Sequence, residues 1–342
     1  MLDVKRVLIT GAAGGLGRTI CRLLHHAGYA VSALVSPRDA MTSVPLNPSA
    51  VTVGYVQNAE AVAVALRGAD AVIHCAALLP NAFHAEERAF LDTNVGGTAV
   101  VLRTAIEHRL RRAFFFSTIN VVDHVSRTVT RADLFDFLQD SPDAYIRSKI
   151  AAEKFLLDNC GAFDGHLAVI RPAYIYGPGN YAMWQQPLDL IQKGKMRLLD
   201  GGTALFPLIY AEDIARYIMA MFEQPSPPTR YDLHILSHPQ RTTMRDVFHF
   251  IADYLGVPHP RSLASRPLYQ AAELLRWLPR RLRVGRLKSL TRTRIELYSR
   301  GCDLSGVLDQ AHLKSIQLTD YRTGLAAMLD DFCGKASDRL GP

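Results

Sequence analysis

No run of 18 apolar residues occurs in this 342-residue sequence, so no segment is long enough to cross a bilayer as a helix. The five cysteines, Cys21, Cys75, Cys160, Cys302 and Cys333, are odd in number and widely spaced. They include no C-x-x-C pair, which argues against both a disulfide framework and a zinc cluster. The twelve histidines form no ligand set with carboxylates, so no metal site is expected. Aromatic residues make up 8% of the chain, and none falls between Arg280 and Arg294, its densest basic run. A nucleic-acid binder would need aromatic platforms among such charges, and that function is set aside. The opening MLDVKRVLIT shows neither the apolar core nor the cleavage site of a secretory leader, and a cytoplasmic protein is expected.

What is present is the composition of an ordinary globular protein, with 49% hydrophobic and 21% charged residues over a length that suits about two domains or one large one. The net charge of +7 is local. Residues 261–300 hold eleven Lys or Arg against Glu273 and Glu296, so the rest of the chain carries about −2. The stretch 276–294 admits three readings: a solvated charged face, a contact for an acidic partner or carrier, or a patch that rests on an anionic membrane.

Short apolar runs alternate with helical patterns in the first half. Strands are expected at Lys5–Thr10, Ala30–Val35, Ala71–His74, Arg112–Ser117 and His166–Arg171, each apolar almost throughout, as strands buried on both faces are. Between the first two, Leu16, Ile20, Leu23, Leu24 and Ala27 recur at helical spacing and Gly28 supplies a stop, which makes a βαβ unit. The second half is less regular. Helices are expected at Arg245–Leu255 and Leu268–Leu278, the latter ended by Pro279, and Gln224–Thr229 reads as an exposed loop. The fold class is α/β, a doubly wound parallel sheet with a smaller, mostly helical C-terminal part.

Thr10-Gly11-Ala12-Ala13-Gly14-Gly15-Leu16-Gly17 joins the first strand to the first helix, the context in which a glycine loop holds a dinucleotide. Glycines let the backbone approach the pyrophosphate, and the helix start offers free N–H groups and the positive end of its dipole. This G-x-x-G-x-x-G spacing is joined by GADAVIHCAA (68–77), NVGGT (94–98), RPAYIYGP (171–178) and YAEDIA (210–215). Together they resemble the extended short-chain dehydrogenase/reductases, the NAD-dependent epimerase/dehydratase family, which includes 3β-hydroxysteroid dehydrogenase-like and ketoreductase-like members. The resemblance implies an NADP-binding Rossmann domain over residues 1–177, rejoined by about 208–238. A substrate-binding domain would come from 178–207 and 239–335, with the ligand at the carboxyl ends of the strands.

The implied dinucleotide contacts are Gly11, Ala13, Gly14, Gly15, Leu16 and Gly17 in the loop, and Cys75, Ala76 and Ala77 after the Ala71–His74 strand. Pro172 and Ala173 are expected to bring backbone groups to the carboxamide. An NAD-selective site places a carboxylate at the end of the second strand, whereas a cation there suits the 2′-phosphate of NADP. Here Val35 holds that position, followed by Ser36 and Arg38, so NADP is expected and NAD is the alternative. At the adenine end the family's common Asp is replaced by Tyr55, leaving the Tyr55 ring and the Val56 backbone as contacts.

Tyr145 and Lys149, spaced i and i+4, put a phenol and an ammonium on one helix face. A phenol with a pKa near 10 is a poor acid–base at neutral pH, and an adjacent cation with the oxidised nicotinamide is expected to lower it. Thr118, about 27 residues earlier, matches the family hydroxyl that bonds the substrate oxygen. Lys149 matches the residue that also holds the nicotinamide ribose. Asn94 matches the one that orders a water chain from that lysine to solvent.

Extended members are nucleotide-sugar epimerases and dehydratases, or reductases and dehydrogenases of apolar keto and hydroxy compounds. The former commonly carry an Arg where this chain has Phe206, four residues before Tyr210. Phe206, with Tyr176, Met183 and Trp184, is expected to line an apolar pocket, while Arg292 or Arg294 is the opposing candidate for a diphosphate. The expected activity is hydride transfer between NADP(H) and a carbonyl or alcohol of a mainly apolar, free or carrier-bound small molecule, with Tyr145 as general acid–base. A nucleotide-sugar epimerase or dehydratase with tightly held NAD is the alternative. A non-catalytic NADP sensor, which would usually have lost the Tyr–Lys pair, is the second. Family members often associate through a helix pair, which leaves a homodimer open.

Overall fold

Apolar runs that are buried on both faces pair as parallel strands when a helix returns the chain to the same end of the sheet. The computed structural model describes residues 4–40, 50–80, 85–125, 127–225, 230–276, 292–308 and 313–339. The strands are β1 (Arg6–Thr10), β2 (Ala30–Val35), β3 (Val51–Val53), β4 (Ala71–His74), β5 (Arg112–Phe116), β6 (His166–Pro172), β7 (Tyr174–Tyr176), β8 (Arg197–Leu199), β9 (Leu208–Tyr210), β10 (Tyr231–Leu236) and β11 (Arg261–Leu263). The helices are α1 (Gly15–His26), α2 (Ala59–Ala65), α3 (Glu87–Phe90), α4 (Gly97–Glu107), α5 (Ala144–Asn159), α6 (Gln185–Gln192), α7 (Ala211–Glu223), α8 (Met244–Tyr254), α9 (Arg266–Arg276), α10 (Arg292–Arg300) and a final helix, Tyr321–Arg339.

Seven strands form one parallel sheet in the order β10-β6-β5-β4-β1-β2-β3, and β7–β9 and β8–β11 pair separately. The order reverses between β1 and β4, which opens a crevice at their carboxyl ends. Side chains alternate across the sheet as the strand period requires. Ile9, Ile73, Phe114 and Ile170 pack with Ile20 and Leu24 of α1 and Ile214 and Ile218 of α7. Leu8, Val72, Phe115 and Val169 pack with Val62 of α2, Val101 and Leu102 of α4 and Leu156 of α5. Burial of Phe114 and Phe115, on opposite faces of β5, contributes roughly 1.5–3 kcal/mol each. A separate core joins α6, α8 and the final helix through Leu188, Phe248, Leu325 and Met328.

All five expected strands form, two with the expected ends and three with one end moved by a single residue. Two sheet strands were not expected. β3 is only three residues long and partly exposed. β10 is masked in sequence by Asp232 and His234, whose partners are distant in the chain: His166 for the first and Tyr217 for the second. The expected helix at 245–255 is α8, one residue earlier at each end, and α9 begins two residues before its expected start. The expected stop at Pro279, residues 226–229 of the expected loop and most of the basic stretch 276–294 lie outside the described residues.

Candidate active site

The first functional feature is a close approach between the ends of β1 and β4. Gly11 has φ +66, and a Cβ there would sit 2.6 Å from the Ala76 nitrogen and 2.7 Å from its Cα. Only glycine fits such a conformation against a neighbouring backbone. Gly17 is equally crowded, since a Cβ would meet the Gly11 carbonyl oxygen at 2.2 Å. The loop folds on itself through Gly14 N–H to the Gly11 carbonyl, and α1 starts at Gly15 with no side chain capping it and no acid in its first turn. The first-turn N–H groups of a helix lack intrahelical partners, so this start suits an anion. Ala13, Leu16, Cys75, Ala76 and Ala77 border the same crevice and are partly exposed. A glycine cradle with no room for a Cβ, beside an uncapped helix start, fits the pyrophosphate of a nicotinamide dinucleotide.

The second feature is the face of α5 that meets the end of β5. Lys149 is buried and its Nζ donates to the Phe116 carbonyl, two residues before Thr118. That bond draws the Tyr145–Lys149 face onto the strand end, where α5 also packs against the short turn Ile119–Val121. Burial brings the Lys149 ammonium down to about 8, with Glu153 opposing the shift. The Thr118 hydroxyl accepts from the Asn120 N–H at 3.3 Å, while the neighbouring Ser117 hydroxyl is buried without a partner. Burial pushes the Tyr145 phenol up from the ordinary value, and the Asp143 carboxylate pushes the same way. The residue itself is half-buried.

Asn94 sits in a single π-helical turn, Leu91–Gly96, between α3 and α4, the kind of local widening that often marks a functional position. Its Oδ1 accepts from Leu78 N–H at 2.7 Å, and its Nδ2 donates to the Leu78 carbonyl at 3.1 Å and to Ser148 Oγ at 2.8 Å. Ser148 donates in turn to the Tyr145 carbonyl. Both amide protons of Asn94 are committed, so it braces the loop after β4 against α5 with one oxygen lone pair to spare.

The remaining candidates fall as follows. Val35 is buried, Ser36 donates to Asp39 Oδ2 at 2.7 Å, and Arg38 is exposed. Tyr55 is 45% exposed and Val56 is buried against Gly97. Ala173 gives its N–H to the Leu236 carbonyl and Pro172 has none, so this turn offers no free donor of its own. Tyr176, Trp184 and Phe206 pack into the second core with Phe248, whereas Met183 is 46% exposed. Arg292 and Arg294 lie on α10, without described side chains.

Three features gave no signal in sequence. His74 is buried between Thr10 and Thr98, its Nδ1 2.7 Å from the Thr10 hydroxyl. Arg171 and Glu153 form a buried ion pair behind Lys149. The Gly179–Asn180 turn lies over the loop, its carbonyl 2.5 Å from where a Gly15 Cβ would be. His234 and His238 are four residues apart but do not share a helix face, and among the described residues no group of three His, Cys, Asp or Glu is placed to hold a metal. No described helix is long and apolar enough to cross a membrane.

A doubly wound sheet with a glycine loop at its switch point and a Tyr-x-x-x-Lys helix face drawn to the end of β5 defines a class of dinucleotide-binding proteins. The sequence matches the NAD dependent epimerase/dehydratase family over residues 7–233, and the chain belongs to that family. It is similar to a 4-hydroxy-2-methyl-3-oxo-4-farnesyl-3,4-dihydroquinoline-1-oxide ketoreductase of Stigmatella aurantiaca, 29% identical over 220 residues, 64% of this chain and 65% of that protein. The match therefore spans just under two thirds of that relative's length. A 2-alkyl-3-oxoalkanoate reductase of Stenotrophomonas maltophilia is 25% identical over 294 residues, 84% of this chain and 87% of that one. The crystal structure of gox2253 has a similar fold, with TM-score 0.78 and 19% identity over 97% of this chain and 98% of that chain.

Proposed function

We propose that this protein is an NADP(H)-dependent oxidoreductase that moves hydride between the nicotinamide and a carbonyl or alcohol carbon of a mainly apolar small molecule. The observation that supports the proposal is the bond from the Lys149 Nζ to the Phe116 carbonyl, which ties the helix carrying Tyr145 and Lys149 to the strand end that leads into Thr118. When bound, the dinucleotide supplies or accepts the hydride. The Thr118 oxygen accepts from the Asn120 N–H and keeps its own proton for the substrate oxygen. In the reducing direction Tyr145 gives its proton to that oxygen, and in the oxidising direction it takes one back. Since burial raises the Tyr145 phenol, release of its proton depends on a cationic Lys149 one turn away, which holds below about pH 8.

The absence of a carboxylate at Val35 and the exposed Arg38 support NADP; Asp39, the partner of Ser36, is the nearest acid and the group that would favour NAD. Phe206 is buried among Tyr174, Trp184 and Phe248 and offers no cation to a diphosphate, which supports a substrate without one. The names of the relatives, a ketoreductase of a farnesylated ring and a reductase of alkyl oxoalkanoates, point the same way. The test is NADPH oxidation by purified wild-type and Tyr145→Phe protein against a panel of apolar ketones and 3-oxoacyl compounds. Turnover is expected in the wild type and a loss of about 10²–10⁴-fold in the variant. Full turnover by Tyr145→Phe would overturn the assignment.

A further inference from the structure

Behind the proposed site lies the most deeply buried ion pair among the described residues. The side chains of Arg171 and Glu153 are 0% and 1% exposed. Arg171 Nε donates to both carboxylate oxygens of Glu153, at 3.0 and 3.1 Å, and Nη2 adds a further bond to Oε1. Nη1 reaches the Leu134 carbonyl at 2.7 Å, and the guanidinium lies over the Phe137 ring, 5.4 Å from its centre. One side chain thus ties α5, β6 and the 134–137 segment together.

Desolvating two charges costs about as much as their attraction returns, so a well-packed apolar pair would hold the fold equally well. The location of the pair points to another role. Glu153 is one helical turn beyond Lys149 and two beyond Tyr145 on α5, while Arg171 directly precedes Pro172 and Ala173 at the end of β6. We propose that Glu153 and Arg171 are a positioning pair that fixes the register of α5 against β6, holding the Tyr145–Lys149 face at a constant distance from the Pro172–Ala173 turn. Neither residue touches the reacting atoms. A planar guanidinium bonded through two of its nitrogens defines an angle as well as a distance, which a hydrophobic contact does not. The proposal rests on the reading of Tyr145 and Lys149 given above.

The test replaces both charges at once, as Glu153→Leu with Arg171→Met, so that no buried charge is left alone. The melting temperature is expected to stay within a few degrees of wild type. The value of kcat is expected to fall about 10²-fold, the cost of an ångström-scale misplacement, with little change in KM. The pH profile supplies a second readout. The titratable groups facing the Lys149 ammonium are His74 at the end of β4, Cys75 just after it and Glu153 from its own helix; Glu153 favours the cation most, and Cys75 adds to it. Loss of Glu153 should move the alkaline limb of kcat to lower pH. A folded double variant with wild-type kcat and pH profile would overturn the proposal. Should that variant not fold, Arg171→Lys carries the test, since it keeps both charges and gives up the fork: reduced kcat supports a positioning role and unchanged kcat refutes it. Tyr145→Phe measured in parallel separates the two questions, because full turnover there removes the active-site reading itself.

Discussion

Gly17 and His74 show how single positions control the crevice. A Cβ on Gly17 would collide with the Gly11 carbonyl oxygen and approach the Ala12 Cα at 2.9 Å, both backbone atoms with no freedom to swing aside. Gly17→Ala is therefore expected to abolish NADPH binding in a fluorescence titration and to lower the melting temperature; tight binding by the variant would refute the cradle. His74 tests the electrostatics. Burial holds its imidazole neutral, down to about 3, and the Lys149 charge adds to the shift. An unfolded histidine titrates near 6.5, so below that pH the unfolded chain binds a proton that the fold refuses. The contribution of His74 is thus complete above pH 6.5 and is lost as pH falls toward 3. Stability should drop by up to about 1.4 kcal/mol per pH unit in that window. The His74→Gln variant, compared with wild type by urea unfolding at pH 7 and pH 5, should show a shallower loss; an identical pH dependence would mean that His74 does not contribute.

Helices and strands were legible where their own residues carry the pattern. The β1–loop–α1 unit was legible because glycines, apolar spacing and the Gly28 stop are all local, and α8 because its apolar residues recur at helical spacing; the structure adds a Thr243–Asp246 capping box at its start. Removing that cap as Thr243→Ala should cost about 1 kcal/mol in urea unfolding and leave NADPH affinity unchanged; a loss of affinity would tie α8 to the cofactor site. The register of α5 on β6 was not legible. Glu153 and Arg171 are 18 residues apart, and neither helical nor strand periodicity links them. The single change Glu153→Gln, which strands the Arg171 charge, should cost about 3–5 kcal/mol, far more than the paired replacement. The high phenol of Tyr145 was hidden for a similar reason, since desolvation depends on neighbours brought in by the fold.

Taken together, the three cores divide the labour. Two clamp the faces of the parallel sheet and hold the crevice open at its carboxyl edge, and the third packs α6, α8 and the final helix around Trp184, Phe206 and Phe248. The sheet was readable because strands buried on both faces are nearly continuous apolar runs. The third core was not, because the aromatics that suggested a pocket wall are the same residues that fill a core, and sequence does not separate the two uses. Of the four aromatic and Met candidates for that wall, only Met183 stays exposed. The measurement to make first is a titration of purified protein with NADPH and NADH, after a denatured sample has been checked for nucleotide carried through purification. Tight, exchangeable binding with NADPH preferred is the expected result, with a stabilisation of about 2.7 kcal/mol at a hundredfold excess over Kd. Stoichiometric retained NAD would move the chain to the epimerase reading, and no binding of either nucleotide would refute the account built on the glycine loop.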